Sequence, residues 1–391
     1  MSITEIVSKR SSLRVLSGIC TFLLVCNIFL AFSWKNDADT PEFTWLYSER
    51  LQMELPGYQN QTGEVLGTFI GKNVVDTGSP DLNNVEIENY AWVPHFDFSN
   101  GLASARKNSA SLREVHITGG SISSSGQLTF VPQFSSFLSQ AKTIARPIGI
   151  TIYSGGGGGL TSLLDSNALQ EAFINKLFDY TRKYSHISAI NINFEKLSNA
   201  DATKFLKFLS FLRTSTQNNN IKLYATVFPI GGHINQSLTA DVIGSYSKLA
   251  EVSDKLVLMG YDYVLHFADT PGRENPNVPD YWLKEFLSQA VSQVSASKLI
   301  LGLPLYGYGF TTSSKRMTTS YTYSQIQSII SREQRQPVRI PEWNEMKLQR
   351  GNEVIYFQNK ETLHSKNSIA IEYGVDQVFY WRLGSDGTLL N

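Results

Sequence analysis

The segment 189–195 (AININFE) alternates apolar and polar side chains and ends in a carboxylic acid. In a β-strand this alternation places Asn191, Asn193 and Glu195 on one face and the apolar residues on the other. One interpretation is a polar layer within the core, whose members hydrogen-bond to one another. The other is a ladder that presents Glu195 to an active site, because active sites of barrels lie where the strands end. The terminal position of Glu195 favours the second interpretation.

A run of five glycines, 155–159, has the composition of a phosphate-binding loop. No lysine and hydroxyl pair follows it, since the next residues are Leu160, Thr161 and Ser162. Leu160 also occupies the place of the last glycine of a dinucleotide-binding fingerprint. We therefore predict a strand-to-helix turn at which the backbone approaches a ligand or a neighbouring strand.

Other common catalytic centres are missing from the sequence. None of the six histidines belongs to an HExxH motif or to another close ligand pair. There is no GxSxG motif, and the two cysteines, Cys20 and Cys26, both lie in an apolar N-terminal segment. The sequence thus predicts neither a metal ion nor a cofactor.

From about residue 86, apolar runs of strand length alternate with helical patterns. In 169–184, apolar residues recur at spacings of three and four, and Asp165 or Ser166 is the expected N-cap. The predicted strands are 114–118, 147–153, 187–194, 221–228, 255–261, 298–305 and 377–383. Strict alternation implies parallel strands with right-handed crossovers, and about eight such units fit a (β/α)8 TIM barrel. The alternative is an open doubly wound sheet, which would require a phosphate-binding glycine motif.

The composition is neutral and rich in aromatic residues. Of 391 residues, 34 are basic and 34 are acidic, and aromatic residues make up 12%. A neutral chain without basic blocks has no excess cations to displace counterions, so no nucleic-acid partner is predicted. Two cysteines are too few for a disulfide scaffold or a multi-cysteine zinc site. Uncharged ligands such as sugars suit this composition.

The segment 15–34 is uncharged and mainly apolar. At about 1.5 Å per helical residue it spans a bilayer core of roughly 30 Å. Basic residues precede this segment and acidic residues follow it, so the positive-inside rule places the rest of the chain outside the cytoplasm. We expect a single-pass anchor in the cell membrane. The alternative is a signal peptide cleaved near Ala31-Phe32-Ser33, which would release a secreted protein.

The expected domain organisation has three parts. Residues 1–35 form the cytoplasmic N-terminus and the transmembrane helix, and 36–85 form a connector with little structure. Residues 86–391 form the barrel.

Five motifs in order resemble glycoside hydrolase family 18, the chitinase-like barrels. The text at 188–195 (SAININFE) aligns with the signature DxxDxDxE, and 258–262 (LMGYD) matches the MxYD motif. The other three are 151–157 (TIYSGGG), 301–308 (LGLPLYGY) and 378–384 (VFYWRLG). The segments 92–108 and 126–128 resemble the corresponding sequences of a bacterial branch of this family, which includes peptidoglycan-acting glucosaminidases. The resemblance covers about 86–391 and implies a small α+β insertion at about 311–358, before the last strand.

The resemblance implies retaining, substrate-assisted hydrolysis of β-linked N-acetylglucosamine (GlcNAc) polymers such as peptidoglycan or chitin. Glu195 would protonate the leaving glycosidic oxygen and then activate water. Asn193 would orient the 2-acetamido N–H of the sugar, and the Tyr261 hydroxyl would donate to the acetamido oxygen. The implied substrate-binding residues are Trp381, Asp262, Met259, Asn191, Tyr306 and Trp92.

The three signature aspartates are replaced in this chain by Ser188, Asn191 and Asn193. An asparagine carbonyl still accepts from an acetamido N–H but lacks the charge that opposes a developing cation. The loss costs on the order of 2–4 kcal/mol of transition-state stabilisation. Because Glu195 is retained, we expect an enzyme. A glycan-binding protein without turnover and a membrane-tethered scaffold are the alternatives.

Overall fold

The structure is a computed structural model that describes residues 86–390, except for 232–236, 267–274 and 314–316. The predicted transmembrane segment 15–34 and the predicted connector 36–85 therefore lie outside the described residues. Within the described ranges, no helix is both long enough and apolar enough to cross a bilayer.

Fourteen strands are present in the described part of the chain. They are β1 (Glu88–Val93), β2 (Leu112–Ile122), β3 (Leu128–Phe130), β4 (Ile148–Ser154), β5 (Ile187–Phe194), β6 (Lys222–Val227), β7 (Lys255–Met259), β8 (Leu299–Pro304), β9 (Tyr306–Thr311), β10 (Met317–Thr322), β11 (Val338–Ile340), β12 (Glu345–Arg350), β13 (Glu353–Phe357) and β14 (Gln377–Trp381).

Eight of these strands close into a parallel barrel. Their order is β1-β2-β4-β5-β6-β7-β8-β14, and β1 pairs in parallel with both β2 and β14 to complete the cylinder. The short β3 adds an antiparallel partner to the end of β2. The predicted (β/α)8 barrel is thus confirmed, and the alternative of an open doubly wound sheet is wrong.

Eleven α-helices are present in the described part of the chain, and most of them connect the barrel strands on the outside of the barrel. They are α1 (Phe98–Lys107), α2 (Phe134–Ala141), α3 (Gly158–Asp165), α4 (Asn167–Lys183), α5 (Ala202–Asn218), α6 (Thr239–Ile243), α7 (Tyr246–Glu251), α8 (Tyr263–His266), α9 (Asp280–Gln293), α10 (Tyr323–Glu333) and α11 (Lys360–Glu372). In α4, the Ser166 side chain accepts a hydrogen bond from the Leu169 N–H over 3.3 Å, as one of the two predicted N-caps requires.

The insertion between β8 and β14 forms a second, antiparallel sheet. Its strand order is β10-β9-β13-β12-β11, and α10 connects β10 to β11. The sheet begins at Tyr306, directly after β8, and therefore starts earlier than the expected boundary at about 311. This early start makes the tyrosines of β9 available at the end of the barrel where the strands finish.

The barrel interior is filled mainly by aromatic side chains. One buried cluster contains Tyr90, Trp92, Tyr224 and Phe379, and the Trp92 and Phe379 rings stack with centroids 3.6 Å apart. The alternate residues of the same strands face outwards and pack against the helices, as Ile190, a core residue of β5, does. The interior is therefore a packed core and not a pore, and active sites of such barrels lie above it, at the strand ends.

Candidate active site

Glu195 follows β5 directly, at the carboxyl end of the barrel. Its backbone N–H donates to the Ser154 carbonyl over 2.9 Å, and its carbonyl accepts from the Thr239 N–H over 3.0 Å. These bonds fix the backbone of Glu195 between the end of β4 and the start of α6. The carboxyl accepts a hydrogen bond at Oε1 from Asn193 Nδ2 over 3.3 Å. The sequence-predicted acid therefore lies at the barrel mouth, beside the residue predicted to assist it.

The environment of Glu195 favours its neutral form. Burial raises the pKa of its carboxyl to about 7, and the nearby charge of Asp262 acts in the same direction. The hydrogen bonds from Asn193 and Tyr153 and the charge of Lys196 oppose this shift in part. A carboxyl with this pKa is about half protonated at pH 7 and can release its proton, as a general acid must.

Tyr153 is a site residue that the sequence reasoning missed. It is the penultimate residue of β4, pairs in register with Asn193, and keeps 45% of its surface exposed. Its hydroxyl interacts with Glu195, and burial together with the Glu195 charge raises the pKa of the phenol. The available signal was the alternation of β4, which puts Tyr153 on the same inward face as the buried Thr151.

Asn193 has one amide atom engaged and one free. Its Nδ2 donates to Glu195, whereas its Oδ1 is buried and has no hydrogen-bond partner. A buried acceptor without a partner is costly unless a ligand supplies a donor. The Asn193 carbonyl oxygen therefore offers a site for an N–H group beside Glu195.

Asn191 forms the polar layer that the alternative interpretation of 189–195 predicted. Its side chain is fully buried, accepts a hydrogen bond from Thr226 Oγ1 over 2.8 Å, and donates to Thr151 Oγ1 over 3.5 Å. It therefore supports the strand from within the core. The two interpretations of 189–195 therefore hold at different positions along β5. Asn191 belongs to a structural polar layer, and Glu195 belongs to the candidate site.

Ser188 is the second residue of β5, near the amino end of the barrel. Its Oγ donates to Glu114 Oε2 over 3.3 Å, and the other oxygen of Glu114 lies 2.6 Å from His116 Nε2. Burial disfavours the Glu114 charge, but the interactions with His116, Lys222 and Tyr224 together outweigh it and lower the pKa of Glu114. A carboxylate from β2 thus lies beside the first signature position, well below the mouth.

Tyr261 and Asp262 follow β7 and face the same mouth. Burial raises the pKa of the Tyr261 hydroxyl well above its ordinary value, as do the charges of Asp262 and Glu195, so it stays a hydrogen-bond donor. Asp262 Oδ1 accepts from the Tyr306 hydroxyl and, over 2.8 Å, from the Tyr308 hydroxyl. Burial raises the pKa of Asp262, and these two donors oppose the rise.

Trp381 ends β14 and is half-buried at the top of the aromatic core. The Trp92 ring meets it edge-on with centroids 5.6 Å apart, and the Trp92 Nε1–H donates to Thr151 Oγ1 over 3.1 Å. The peptide bond between Trp381 and Arg382 is cis. Trp92 and Met259 are almost fully buried and therefore lie beneath the mouth. Of the two tryptophans, only Trp381 has an accessible surface.

The glycine run 155–159 forms the turn from β4 into α3. Gly156 and Gly157 both have a φ of 87°, which favours glycine, and α3 begins one residue later. A Cβ on Gly159 would lie 2.1 Å from the Ser123 carbonyl oxygen, so a neighbouring backbone fills that space. Among the described residues, no group of three or more histidine, cysteine, aspartate or glutamate side chains is arranged to hold a metal ion.

The match to a known family covers the whole barrel. The model of the family described as "Glycosyl hydrolases family 18" matches residues 75–386. The chain belongs to this family. The resemblance carried by the five motifs is thereby confirmed, and the prediction of a glycosidase agrees with it.

Similar proteins include bacterial glycosylases and a plant chitinase. The uncharacterized glycosylase YvbX of Bacillus subtilis (strain 168) is 21% identical over 60% of this chain and 68% of its own length. The cortical fragment-lytic enzyme of Bacillus cereus is 24% identical over 66% of this chain, which spans only 60% of that enzyme. A class V chitinase mutant from Cycas revoluta, solved with (GlcNAc)3, has a TM-score of 0.67 at 14% identity over 78% of this chain and 97% of its own. At that identity the likeness to the chitinase shows a shared fold.

Proposed function

We propose that this protein cleaves β-linked N-acetylglucosamine glycans by a retaining mechanism in which the 2-acetamido group of the sugar acts as nucleophile. The observation that carries the proposal is the pairing of Glu195, with a pKa raised to about 7, with the unpartnered Oδ1 of Asn193 at the barrel mouth. The first supplies the proton, and the second accepts the acetamido N–H.

In the first step, the acetamido oxygen attacks the anomeric carbon and the bond to the glycosidic oxygen breaks. Glu195 gives its proton to that oxygen, so the leaving sugar departs as an alcohol and Glu195 becomes a carboxylate. In the second step, this carboxylate takes a proton from water while the water oxygen attacks the anomeric carbon of the oxazolinium ion. Ring opening restores the acetamido group, and Glu195 is neutral again.

Two neighbours position the acetamido group in this proposal. Asn193 Oδ1 accepts from its N–H, and the protonated hydroxyl of Tyr261 donates to its oxygen. Asparagine lacks the negative charge that would oppose the oxazolinium cation, so turnover is expected to be slow. Trp381 provides the apolar surface against which the sugar ring packs.

Bacterial cell-wall peptidoglycan is the substrate that we favour. Support comes from the name of the cortical fragment-lytic enzyme, which is similar over two thirds of this chain, and from the (GlcNAc)3 complex of the chitinase with the same fold.

We further propose that residues 15–34 anchor the chain in the cell membrane with the barrel outside the cytoplasm. The support is the uncharged segment with basic residues before it and acidic residues after it. Protease added to intact cells should degrade the barrel of the full-length chain, and the chain should remain in the membrane fraction at uncleaved length. A shortened chain in the medium would instead support a cleaved signal peptide.

The proposed activity is tested by the release of reducing ends from chitooligosaccharides and from peptidoglycan. The full chain should release them slowly, and Glu195→Gln should abolish the release while retaining oligosaccharide binding. Equal release of reducing ends by the wild type and by Glu195→Gln would contradict the enzyme proposal. Binding by both without turnover would instead identify a glycan-binding protein on the same barrel.

A further inference from the structure

Asp262 has an unusual backbone for a residue in a reactive site. Its φ is 64°, in the left-handed region that non-glycine residues rarely adopt. Such a conformation persists where the surrounding contacts fix it. The phenols of Tyr306 and Tyr308 fix its carboxylate, so other groups must hold its main chain.

Asn277 provides the contacts to that main chain. Its Oδ1 accepts a hydrogen bond from the Asp262 N–H over 2.7 Å. Its backbone carbonyl accepts from the N–H of Tyr263 over 3.0 Å. Asn277 is 1% exposed, so water does not compete for these bonds. The two amide groups that follow Tyr261 are therefore both bonded to one buried asparagine.

Glu345 in turn holds Asn277. It is the first residue of β12 in the second sheet and is fully buried. One carboxyl oxygen accepts from the Asn277 N–H over 3.0 Å, and the other accepts from the Val278 N–H. A carboxylate that bridges two successive N–H groups fixes the orientation of the peptide between them.

A buried cation lies near this carboxyl. Lys366 of α11 is 0% exposed, and its charge opposes the rise that burial causes in the pKa of Glu345, to about 7. Its Nζ also bonds to Asp280 and, over 2.8 Å, to the Trp343 carbonyl. Removal of one partner from a buried charged cluster leaves the other groups unsatisfied, so the arrangement is held as a unit.

We propose that Glu345 is a positioning residue for the reaction: through Asn277 it fixes the backbone of Asp262, whose carboxylate acts on Glu195. This inference rests on the proposed function, because Asp262 matters only if Glu195 is the acid. It gives the second sheet a role, since that sheet contributes both the phenols that bind the Asp262 carboxylate and the carboxyl that holds its backbone.

A merely structural role for Glu345 would lower thermal stability and leave the pH profile of the acid unchanged. A positioning role has a different signature. Displacement of Asp262 weakens the charge that raises the pKa of Glu195, so the loss of activity at alkaline pH should begin at a lower pH.

The test uses Glu345→Gln and Asn277→Ala in the full chain, with Glu353→Gln as the matched control. Glu345→Gln would turn an NH2 group towards one of the two backbone N–H donors that the carboxylate now binds. Glu353 lies on β13 of the same sheet, and its carboxylate binds the Tyr321 hydroxyl over 3.0 Å, away from Asn277. The first readout is hydrogen–deuterium exchange at the Asp262 amide, which does not depend on turnover.

Exchange at Asp262 should accelerate at least about 10-fold in Glu345→Gln and Asn277→Ala, and stay unchanged in Glu353→Gln. In the turnover assay, each of the first two variants should lower kcat about 10-fold, and the double variant should be no worse than either. The alkaline limb of their pH profiles should move down.

Unchanged exchange in Glu345→Gln, or losses that multiply in the double variant, would overturn the positioning role. If Glu345→Gln does not fold, Glu345→Asp, which keeps the carboxylate on a side chain one methylene shorter, decides through the same exchange signal. A wild-type protein without turnover would contradict the proposed function. The exchange result would still decide whether Glu345 fixes the backbone of Asp262.

Discussion

Asn193 donates a hydrogen bond from Nδ2 to Oε1 of Glu195 over 3.3 Å, and its own Oδ1 is buried without a partner. The contact is between a neutral amide and a carboxyl, at the position where the family signature places an aspartate. A carboxylate there would raise the pKa of Glu195 through repulsion, whereas the amide lowers it. Burial and Asp262 therefore have to keep Glu195 protonated.

The first prediction concerns the pH dependence of activity. Because Glu195 acts as an acid with a pKa of about 7, kcat/KM should fall as pH rises through 7. Asn193→Asp removes the amide donor and adds a negative charge, and both changes raise the pKa of Glu195. The alkaline limb should then move to higher pH, and kcat should rise by about 10-fold or more because a charge again opposes the cation.

The measurement is the pH profile of chitooligosaccharide hydrolysis by the wild type and by Asn193→Asp. Asn191→Asp is the matched control, because that side chain is fully buried in the layer below the mouth. If the wild type is active and neither its rate nor its profile changes in Asn193→Asp, Asn193 does not belong to the site.

The second prediction concerns Tyr153. Its hydroxyl interacts with Glu195 and lowers the pKa of that carboxyl. Tyr153→Phe should therefore move the alkaline limb to higher pH while changing kcat at pH 5 by less than about 10-fold, because a lost neutral hydrogen bond contributes about 1 kcal/mol. Tyr281→Phe is a suitable control, since the exposed Tyr281 hydroxyl bonds to the Tyr263 hydroxyl and not to Glu195. A profile identical to wild type would show that Tyr153 does not act on the acid.

Periodicity made the barrel strands predictable. The alternation in 189–195 identified both the strand and its inward face, and β5 runs over Ile187–Phe194 as predicted. The height of each inward residue along the barrel axis was harder to predict from the sequence, because strand tilt and stagger decide which inward residues reach the mouth. Asn191 and Trp92 were predicted to bind substrate, and both lie in the packed interior below Asn193 and Trp381.

Contacts between distant segments could not be predicted from patterns. Glu345 lies 68 residues beyond Asn277, and the bond between them depends on how the second sheet packs against the loop before α9. Tyr306 and Tyr308 likewise reach Asp262 because β9 begins directly after β8. Local propensity carries no information about either contact, so the residues that hold Asp262 emerged only from the fold.

The third prediction separates Trp381, at the mouth, from Trp92, which lies beneath it. Trp381 is half-buried, so Trp381→Ala should lower kcat/KM by about 30-fold through lost packing against the sugar, with a small change in melting temperature. Trp92 is almost fully buried, stacks on Phe379 and bonds to Thr151. Trp92→Ala should therefore destabilise the fold by about 3–5 kcal/mol.

Calorimetric melting and oligosaccharide titration distinguish the two effects. Trp381→Phe keeps a ring at the same place and should retain most of the affinity. A Trp381→Ala protein that binds (GlcNAc)3 as tightly as wild type would remove Trp381 from the site.

The last prediction is a pH-dependent stability difference that requires no substrate. The pKa of Glu195 is about 7 in the fold, against a usual value near 4.5, so the folded state holds this proton more tightly than the unfolded state. Stability from this group is then fully present below pH 4.5 and is lost as pH rises through 7. Glu195→Gln cannot ionise, so it should melt like wild type at pH 4.5 and be more stable at pH 8, by up to about 2 kcal/mol. Glu353→Gln, which removes a carboxylate from the second sheet instead of the mouth, is the control. Equal melting of Glu195→Gln and wild type at both pH values would mean that the carboxyl titrates as in water, and that neither burial nor Asp262 prepares it to act as an acid.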